Sequence, residues 1–496
     1  MDTELKFEQI LCFDVLAKAV TTHEETTETT LPDYCPTASR ILDATGQLLV
    51  REKQAAEGLL RGDVRVSVLY LSEETEGLQS VTVMVPFTCE ISDPKIRECQ
   101  MLQVHSRLLL CEAKPITGRK LYLRVIPELS VLGFGRRALR LCCGAEGKGL
   151  QLRTKKQELA LLATVEERSC TTAQEFELGG SGAEEILLSQ VFPRVTSCQQ
   201  IGSKVVVKGE MDISALLRMS DRKLQGIMQT VPFSQILDGI AVPAESRLQV
   251  EAAPAEWDLR LVRSENACRV GLTARIILQV FAYHTREVCY IADLYSTCAA
   301  LKAKIETVTV VQRKAPVCVR EWAEEQFESG RGTLFAYVTA FDGGNVINRC
   351  ENGRSELTTT TRMRLLYQDE NDAPVTAERS REVSAVMEAC ADTAWVSSGI
   401  PELRGSAGSC QVRVPMSFCG YTGESTELST VTAVEELTED ASQPRPSIVL
   451  RRPAAGECLW DIAKRHGSSE EAIRRCNHME DDSLPEGMLL IPVLRS

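Results

Sequence analysis

Val64-Arg-Val-Ser-Val-Leu-Tyr70, a charged turn, and Val81-Thr-Val-Met-Val-Pro-Phe87 place apolar residues at every second position. Such alternation is the signature of strands with one buried face, so the stretch predicts a strand, a turn and a second strand. The pattern recurs as Val205-Val-Val-Lys-Gly-Glu-Met-Asp-Ile-Ser-Ala-Leu-Leu217, the charged turn Ser220 to Lys223, and Gln229-Thr-Val-Pro-Phe233. A third, weaker copy reads Thr358-Thr-Thr-Thr-Arg-Met-Arg-Leu-Leu-Tyr367, the polar stretch Gln368 to Ala373, and Val383-Ser-Ala-Val386. Tyr70 to Leu217 is 147 positions, Val85 to Val231 is 146 and Leu217 to Tyr367 is 150. A period of that length is too long for a solenoid and fits tandem domains.

Each copy also has a second half with the same alternation: Lys120-Leu-Tyr-Leu-Arg-Val-Ile126, then Ala267 to Ile277, then Ser409-Cys-Gln-Val-Arg-Val-Pro-Met416. The expected fold class is therefore mainly β, with three tandem sandwich-like units at residues 7–143, 150–285 and 286–436. Gly144-Ala-Glu-Gly-Lys-Gly149 divides the first two, whereas the second division, near Tyr283 to Val288, is poorly marked. Residues 437–447, acidic at the start and Pro-x-Pro at the end, read as an extended linker, and a small βααβ domain over 448–493 should then move independently.

With 56 Lys and Arg against 69 Asp and Glu, the net charge is −13, and no stretch is dominated by cations. That argues against nucleic acid as the main partner, since phosphate binding needs clustered positive charge. The first residues are too charged for a secretory signal, and no window approaches the roughly 18 uninterrupted apolar residues of a membrane span. A cytoplasmic protein is expected. The 19 cysteines show no Cys-x-x-Cys spacing. In a reducing compartment they read as small buried hydrophobes rather than as zinc ligands or disulfides.

The C-terminal segment is specific. Ile448-Val-Leu450 and Met488-Leu-Leu-Ile491 read as strands, and Leu459 to Arg465 and Glu470 to Cys476 as helices. Ser468 with Glu471 reads as a capping box, and Gly467 as a left-handed helix end. The stretches Gly456-Glu-Cys-Leu-Trp-Asp-Ile-Ala463, Asn477-His-Met-Glu480 and Pro485-Glu-Gly-Met-Leu-Leu-Ile-Pro492 resemble the LysM family. The resemblance implies a groove for N-acetylglucosamine-containing glycan or for a partner protein, lined by Gly456, Glu457, Cys458, Leu459, Asn477, His478, Met479 and Glu480. Cys458 stands where the family carries Thr or Ser, which removes a hydroxyl, and a protein-binding groove is at least as well suited to these residues.

Val68-Leu-Tyr70 with Val85-Pro-Phe87, Val231-Pro-Phe233 and the LysM-like end together resemble the SPOCS-domain (DUF3794) proteins of endospore formers, of the SipL-like coat-encasement type. That resemblance implies a non-catalytic scaffold in the mother-cell cytoplasm. It would help encase the forespore in spore coat by binding a SpoIVA-type morphogenetic ATPase. The third copy departs most, lacking Val-Pro-Phe. A peptidoglycan-binding envelope protein is the alternative reading.

No P-loop, His-Glu-x-x-His site or Gly-x-Ser-x-Gly elbow occurs. The five histidines, His23, His105, His284, His466 and His478, are far apart. Acidic pairs such as Glu184-Glu185 read as solvated charge. No catalytic residue, cofactor or metal site is nominated.

Overall fold

The structure, a computed structural model, describes residues 3–75, 77–178, 182–264, 267–406, 408–437, 446–454 and 456–494. The protein is mainly β. The first set of strands is β1 (Glu4–Thr22), β2 (Glu25–Thr30), β3 (Arg40–Gln54), β4 (Leu59–Leu71), β5 (Leu78–Glu90), β6 (Met101–Thr117) and β7 (Lys120–Glu146). The second is β8 (Leu150–Glu177), β9 (Ala183–Ile201), β10 (Lys204–Met219), β11 (Leu224–Leu237), β12 (Arg247–Ser264) and β13 (Ala267–Ser296). The third is β14 (Leu301–Arg313), β15 (Val317–Phe327), β16 (Gly332–Glu351), β17 (Arg354–Gln368), β18 (Pro374–Met387), β19 (Thr393–Ser398), β20 (Glu402–Ser406), β21 (Ser409–Tyr421) and β22 (Gly423–Glu436).

One plan underlies all three. A three-stranded meander, β3-β4-β5, β9-β10-β11 or β16-β17-β18, forms one sheet. Opposite it, a long closing strand pairs antiparallel with the opening strand of its own set and with the strand before it. In the second set β13 pairs β8 and β12 without interruption. In the first, β7 pairs β6 and the divided opening strand β1 and β2. In the third set every outer strand is divided: β22 pairs β14, while β21 pairs β15, β19 and β20. Alternate residues of each meander meet alternate residues of its closing strand in a sandwich core. Val64, Val66, Val68 and Tyr70 thus pack with Leu121, Leu123 and Val125, and Val205, Val207, Met211 and Ile213 with Leu272, Ile276 and Leu278.

The second division expected between 285 and 286 falls inside β13, which runs on to Ser296 before β14 begins at Leu301. The expectation failed because Arg286 and Glu287 look like a loop. Both lie in the strand, paired with Leu159 and Glu158, and their side chains meet solvent and the Glu8 and Lys156 side chains.

The Val-Pro-Phe signature has a local cause. Phe87 lies opposite Gly62 on the central meander strand, and Phe233 lies opposite Gly209. A Cβ on Gly62 would sit 2.8 Å from the Phe87 ring, and one on Gly209 only 2.3 Å from the Phe233 ring. The ring therefore covers the glycine, in the manner of aromatic rescue across a strand pair. Pro86 and Pro232 are tolerated because β5 and β11 each pair on one side only. In the third set Thr359 stands opposite Val383. Glycine and phenylalanine are replaced together, which explains why that copy lacks the signature.

The three sets share buried surface. Phe134 of β7, Phe281 of β13 and Tyr421 of β21 lie 147 and 140 positions apart and belong to one buried cluster. The Phe134 ring is 5.5 Å from Phe281 and 6.4 Å from Tyr421, centroid to centroid. A polar chain runs beside them: Gln103 donates to Glu251 (2.8 Å), Tyr421 donates to Gln103 (3.2 Å), and the Tyr283 hydroxyl is 3.4 Å from that of Tyr421. Leu69, Leu216 and Leu366, at equivalent places on the three central meander strands, join a second cluster common to all three sets.

Two disulfides, Cys318–Cys419 and Cys350–Cys390, both lie in the third set. The expectation that cysteines serve only as buried hydrophobes therefore fails there. It fits Cys12, Cys35, Cys89, Cys99, Cys142 and Cys410, which are buried and unpaired.

Phe134→Ala should destabilise the protein by about 3–5 kcal/mol, as expected for deleting a buried aromatic ring. Leu11→Ala, at a site 62% exposed, should change it by less than about 0.5 kcal/mol. Equilibrium urea unfolding followed by near-UV circular dichroism measures both.

Candidate functional site

The C-terminal module consists of β23 (Ile448–Arg451), α1 (Leu459–His466), α2 (Glu470–Asn477) and β24 (Leu489–Pro492), with β23 and β24 antiparallel. Leu459, Ile462 and Ala463 of α1, Ile473 of α2, and Leu489 and Ile491 of β24 form its core. Gly467 ends α1 at φ +61°, and the Ser468 N–H returns to the Ala463 carbonyl (2.9 Å), so glycine is required there. The cap of α2 is Ser469, whose hydroxyl accepts from the Ala472 N–H at 3.1 Å, and not Ser468 as the sequence suggests. Ser468 is instead fully buried against the second set of strands.

The groove residues fall into two classes. Gly456 holds φ +84° ahead of α1. Glu457 is an anchor: its carboxylate receives Arg451 (2.6 Å), Arg465 (2.7 Å) and the Ala454 N–H (2.9 Å). The backbone donor first, then the two guanidiniums, pull its pKa down to about 2. Cys458 begins the helix without a side-chain cap, its thiol 3.0 Å from Asp461. Leu459 is buried in the core. Asn477 is committed internally, its amide donating to the Ile473 and Leu490 carbonyls (2.7 and 2.6 Å) and accepting from the Leu490 N–H (2.8 Å). His478, at φ +53°, closes α2 as its left-handed cap, and Met479 packs on the core. The side chains left facing solvent on this loop are His478 and Glu480.

The module is docked rather than free. Trp460 donates its indole N–H to Asp293 (2.8 Å), and the Lys464 ammonium meets both oxygens of the same carboxylate (2.6 and 2.7 Å). Tyr295 packs edge-on to Trp460 (4.9 Å between centroids) and donates to the Ser468 carbonyl (2.9 Å). Asp293 and Tyr295 sit at the end of β13, and Tyr295 is counted in the core of the module itself. The expectation of independent movement is thus overturned, since an aromatic contact and a shared carboxylate hold α1 to the body. Most of the expected linker, residues 438–445, lies outside the described residues. The anchors Trp460 and Lys464 were missed because their partners lie 167 and 171 positions upstream, where no local pattern reaches.

Residues 454–491 match the family model for the LysM domain. This segment is a LysM domain. The match supports a glycan-binding role for it. No curated protein and no solved structure matches the chain. Among the described residues, no helix is long and apolar enough to cross a membrane.

Asn477→Ala should lower the stability of the LysM domain by about 1–3 kcal/mol, because it strands the Leu490 N–H and carbonyl. The measurement is hydrogen exchange of β23 and β24 amides. Asp293→Ala should free α1 from the body, with a loss of about 1.5–3 kcal/mol for charge-assisted hydrogen bonds. Faster exchange within Leu459–His466, with β13 protection retained, is the expected signature.

Proposed function

We propose that this protein is a non-catalytic scaffold of spore coat assembly, cytoplasmic in the mother cell, whose LysM domain captures a SpoIVA-type morphogenetic ATPase at the forespore surface. The observation that carries this reading is the use of the groove side chains. Asn477 and Glu457, the residues best suited to hydrogen-bond a sugar, are spent on internal contacts. What the loop offers outward, His478 and Glu480, suits a charged protein surface more than a neutral glycan. The three-set body supports the reading as well, because one rigid frame presents three similar meander sheets and a fixed LysM domain to the same assembly. The resemblance of the Val-Pro-Phe strand signatures to SPOCS-domain proteins supports the same reading.

A second reading, binding of peptidoglycan through N-acetylglucosamine, is favoured by the LysM match itself.

The test uses the full chain and a Glu480→Arg variant, an exposed charge reversal that leaves the fold contacts intact. The ATPase should be retained on immobilised wild-type chain, with at least a tenfold loss for Glu480→Arg, while the chain stays in the supernatant with purified cell wall. Sedimentation with the wall, competed by chitooligosaccharide and unchanged in Glu480→Arg, would replace the first reading by the second.

A further inference from the structure

Beyond the three-ring contact the opening and closing strands continue as two-stranded ribbons: β1 with β7, β8 with β13, and β14 with β22. Their inward residues, among them Ile10, Leu139, Leu159, Tyr290 and Leu428, share one core. Period-two alternation turns the residues between these outward, and there the ribbons differ. On the second ribbon the outward Lys156 meets Glu287 (3.1 Å), and on the third Thr307 and Ser429 bond each other (3.1 Å). The first ribbon instead presents Leu11, 62% exposed, with the exposed Ala138 opposite it and Arg136 and Arg140 two residues to either side of Ala138.

Both arginines are exposed and unneutralised. Arg140 lies over the Phe7 ring (3.8 Å to its centroid) and Arg136 over the Phe13 ring (5.7 Å), and both rings are half-buried. Among the described residues neither guanidinium makes an ion pair or a hydrogen bond. The β1 carboxylates are committed elsewhere: Glu8 to Arg286, and Asp14 to Arg137 and Arg313 (3.4 Å each). Stacking on a ring uses one face of a guanidinium and leaves its in-plane N–H donors open to a carboxylate. It also holds the side chain in place, so less rotamer freedom is lost when a ligand arrives. Packing on Phe7 and Phe13 thus accounts for the arginine stems and not for the unpaired charge.

We propose that this outer face of the β1–β7 ribbon docks an extended acidic segment of a partner protein. Charge complementarity makes the occupant acidic, and spacing makes it extended. Arg136 and Arg140 are four positions apart on one strand, about 13 Å at roughly 3.3 Å per residue. A strand-like segment of pattern acid-x-aliphatic-x-acid repeats that spacing with all three side chains on one side. Its aliphatic residue covers Leu11 and Ala138, and each carboxylate meets one guanidinium in charge-assisted hydrogen bonds. A polyanion such as nucleic acid would supply the charge and leave Leu11 uncovered.

The experiment follows the fluorescence anisotropy of a fluorescein-labelled Thr-Glu-Thr-Leu-Thr-Glu-Thr peptide titrated with the full-length protein. Two counterparts carry Gln in place of both Glu residues, or Ser in place of Leu. Saturable binding of the first peptide, at least about tenfold tighter than of either counterpart, is expected. Arg136→Gln combined with Arg140→Gln should weaken it by at least about tenfold, and so should Leu11→Asp, which keeps both arginines. Lys156→Gln, on the second ribbon, should leave it unchanged. All these positions are exposed, so the variants should keep the wild-type urea midpoint, and Leu11→Asp decides if the double variant fails to fold. Absence of saturable binding, equal affinity for the Gln or the Ser counterpart, undiminished binding in a folded double variant or in Leu11→Asp, or an equal loss in Lys156→Gln overturns the proposal. Tighter binding of a labelled single-stranded oligonucleotide than of the peptide, lost in the same variants, overturns it in favour of nucleic acid.

Discussion

The joining of the three strand sets depends on three aromatic rings that meet in one buried cluster between them. Phe134, Phe281 and Tyr421 each stand on a closing strand, and each is at most 2% exposed. A sandwich of one set alone would leave its ring at the end of its outer sheet. Burying an aromatic side chain is worth about 1.5–3 kcal/mol on transfer grounds, with more from edge-to-face geometry. The first and second sets meet through Phe134 and Phe281, and the third adds Tyr421 against Phe134. Around this contact the Gln103, Glu251, Tyr283 and Tyr421 chain satisfies polar groups that the apolar junction would otherwise leave stranded. The body is thus better described as one cooperative assembly of three sandwiches than as beads on a string.

The repeat was legible in the sequence because strand alternation survives divergence. Val64 to Tyr70 and Val205 to Leu217 keep their inward residues, and the third copy keeps Met363 and Leu365. What alternation does not report is where a strand ends when its outer face is charged, and so the division expected near Tyr283 to Val288 falls inside β13. Nor does it report pairing. That Gly62 needs Phe87, and Gly209 needs Phe233, is visible only across the ladder. The loss of both partners in the third set, as Thr359 and Val383, then turns from an irregularity into a compensated change.

The LysM segment was the most legible part, although its motif does not report which contacts each side chain makes. Its helices, its left-handed Gly467 and its closing strand follow from local rules. The resemblance marked Asn477 and Glu457 as groove residues, yet their hydrogen bonds hold β24 and the loop ahead of α1. A motif position says that a residue matters to the module and leaves open whether it matters to the ligand. Ser468 is a parallel case. Its hydroxyl type suggested a cap, but its carbonyl is what Tyr295 uses, and Ser469 takes the capping role.

Docking fixes how the LysM loop is presented relative to the body. A module on a flexible tether contributes avidity through an effective concentration set by linker length, and it searches orientations. With Asp293 held by both Trp460 and Lys464, and Tyr295 inserted into the module's core, the loop carrying His478 and Glu480 has a fixed direction relative to β13. A partner that touches both the loop and the body then meets a preorganised face, and less ordering entropy opposes its binding. The contact also works in the opposite direction. Because Tyr295 completes the module's core, a LysM domain cut from this body exposes its Trp460 face to water and loses part of its own stability. The LysM domain and the three-set body are therefore physically one packed unit.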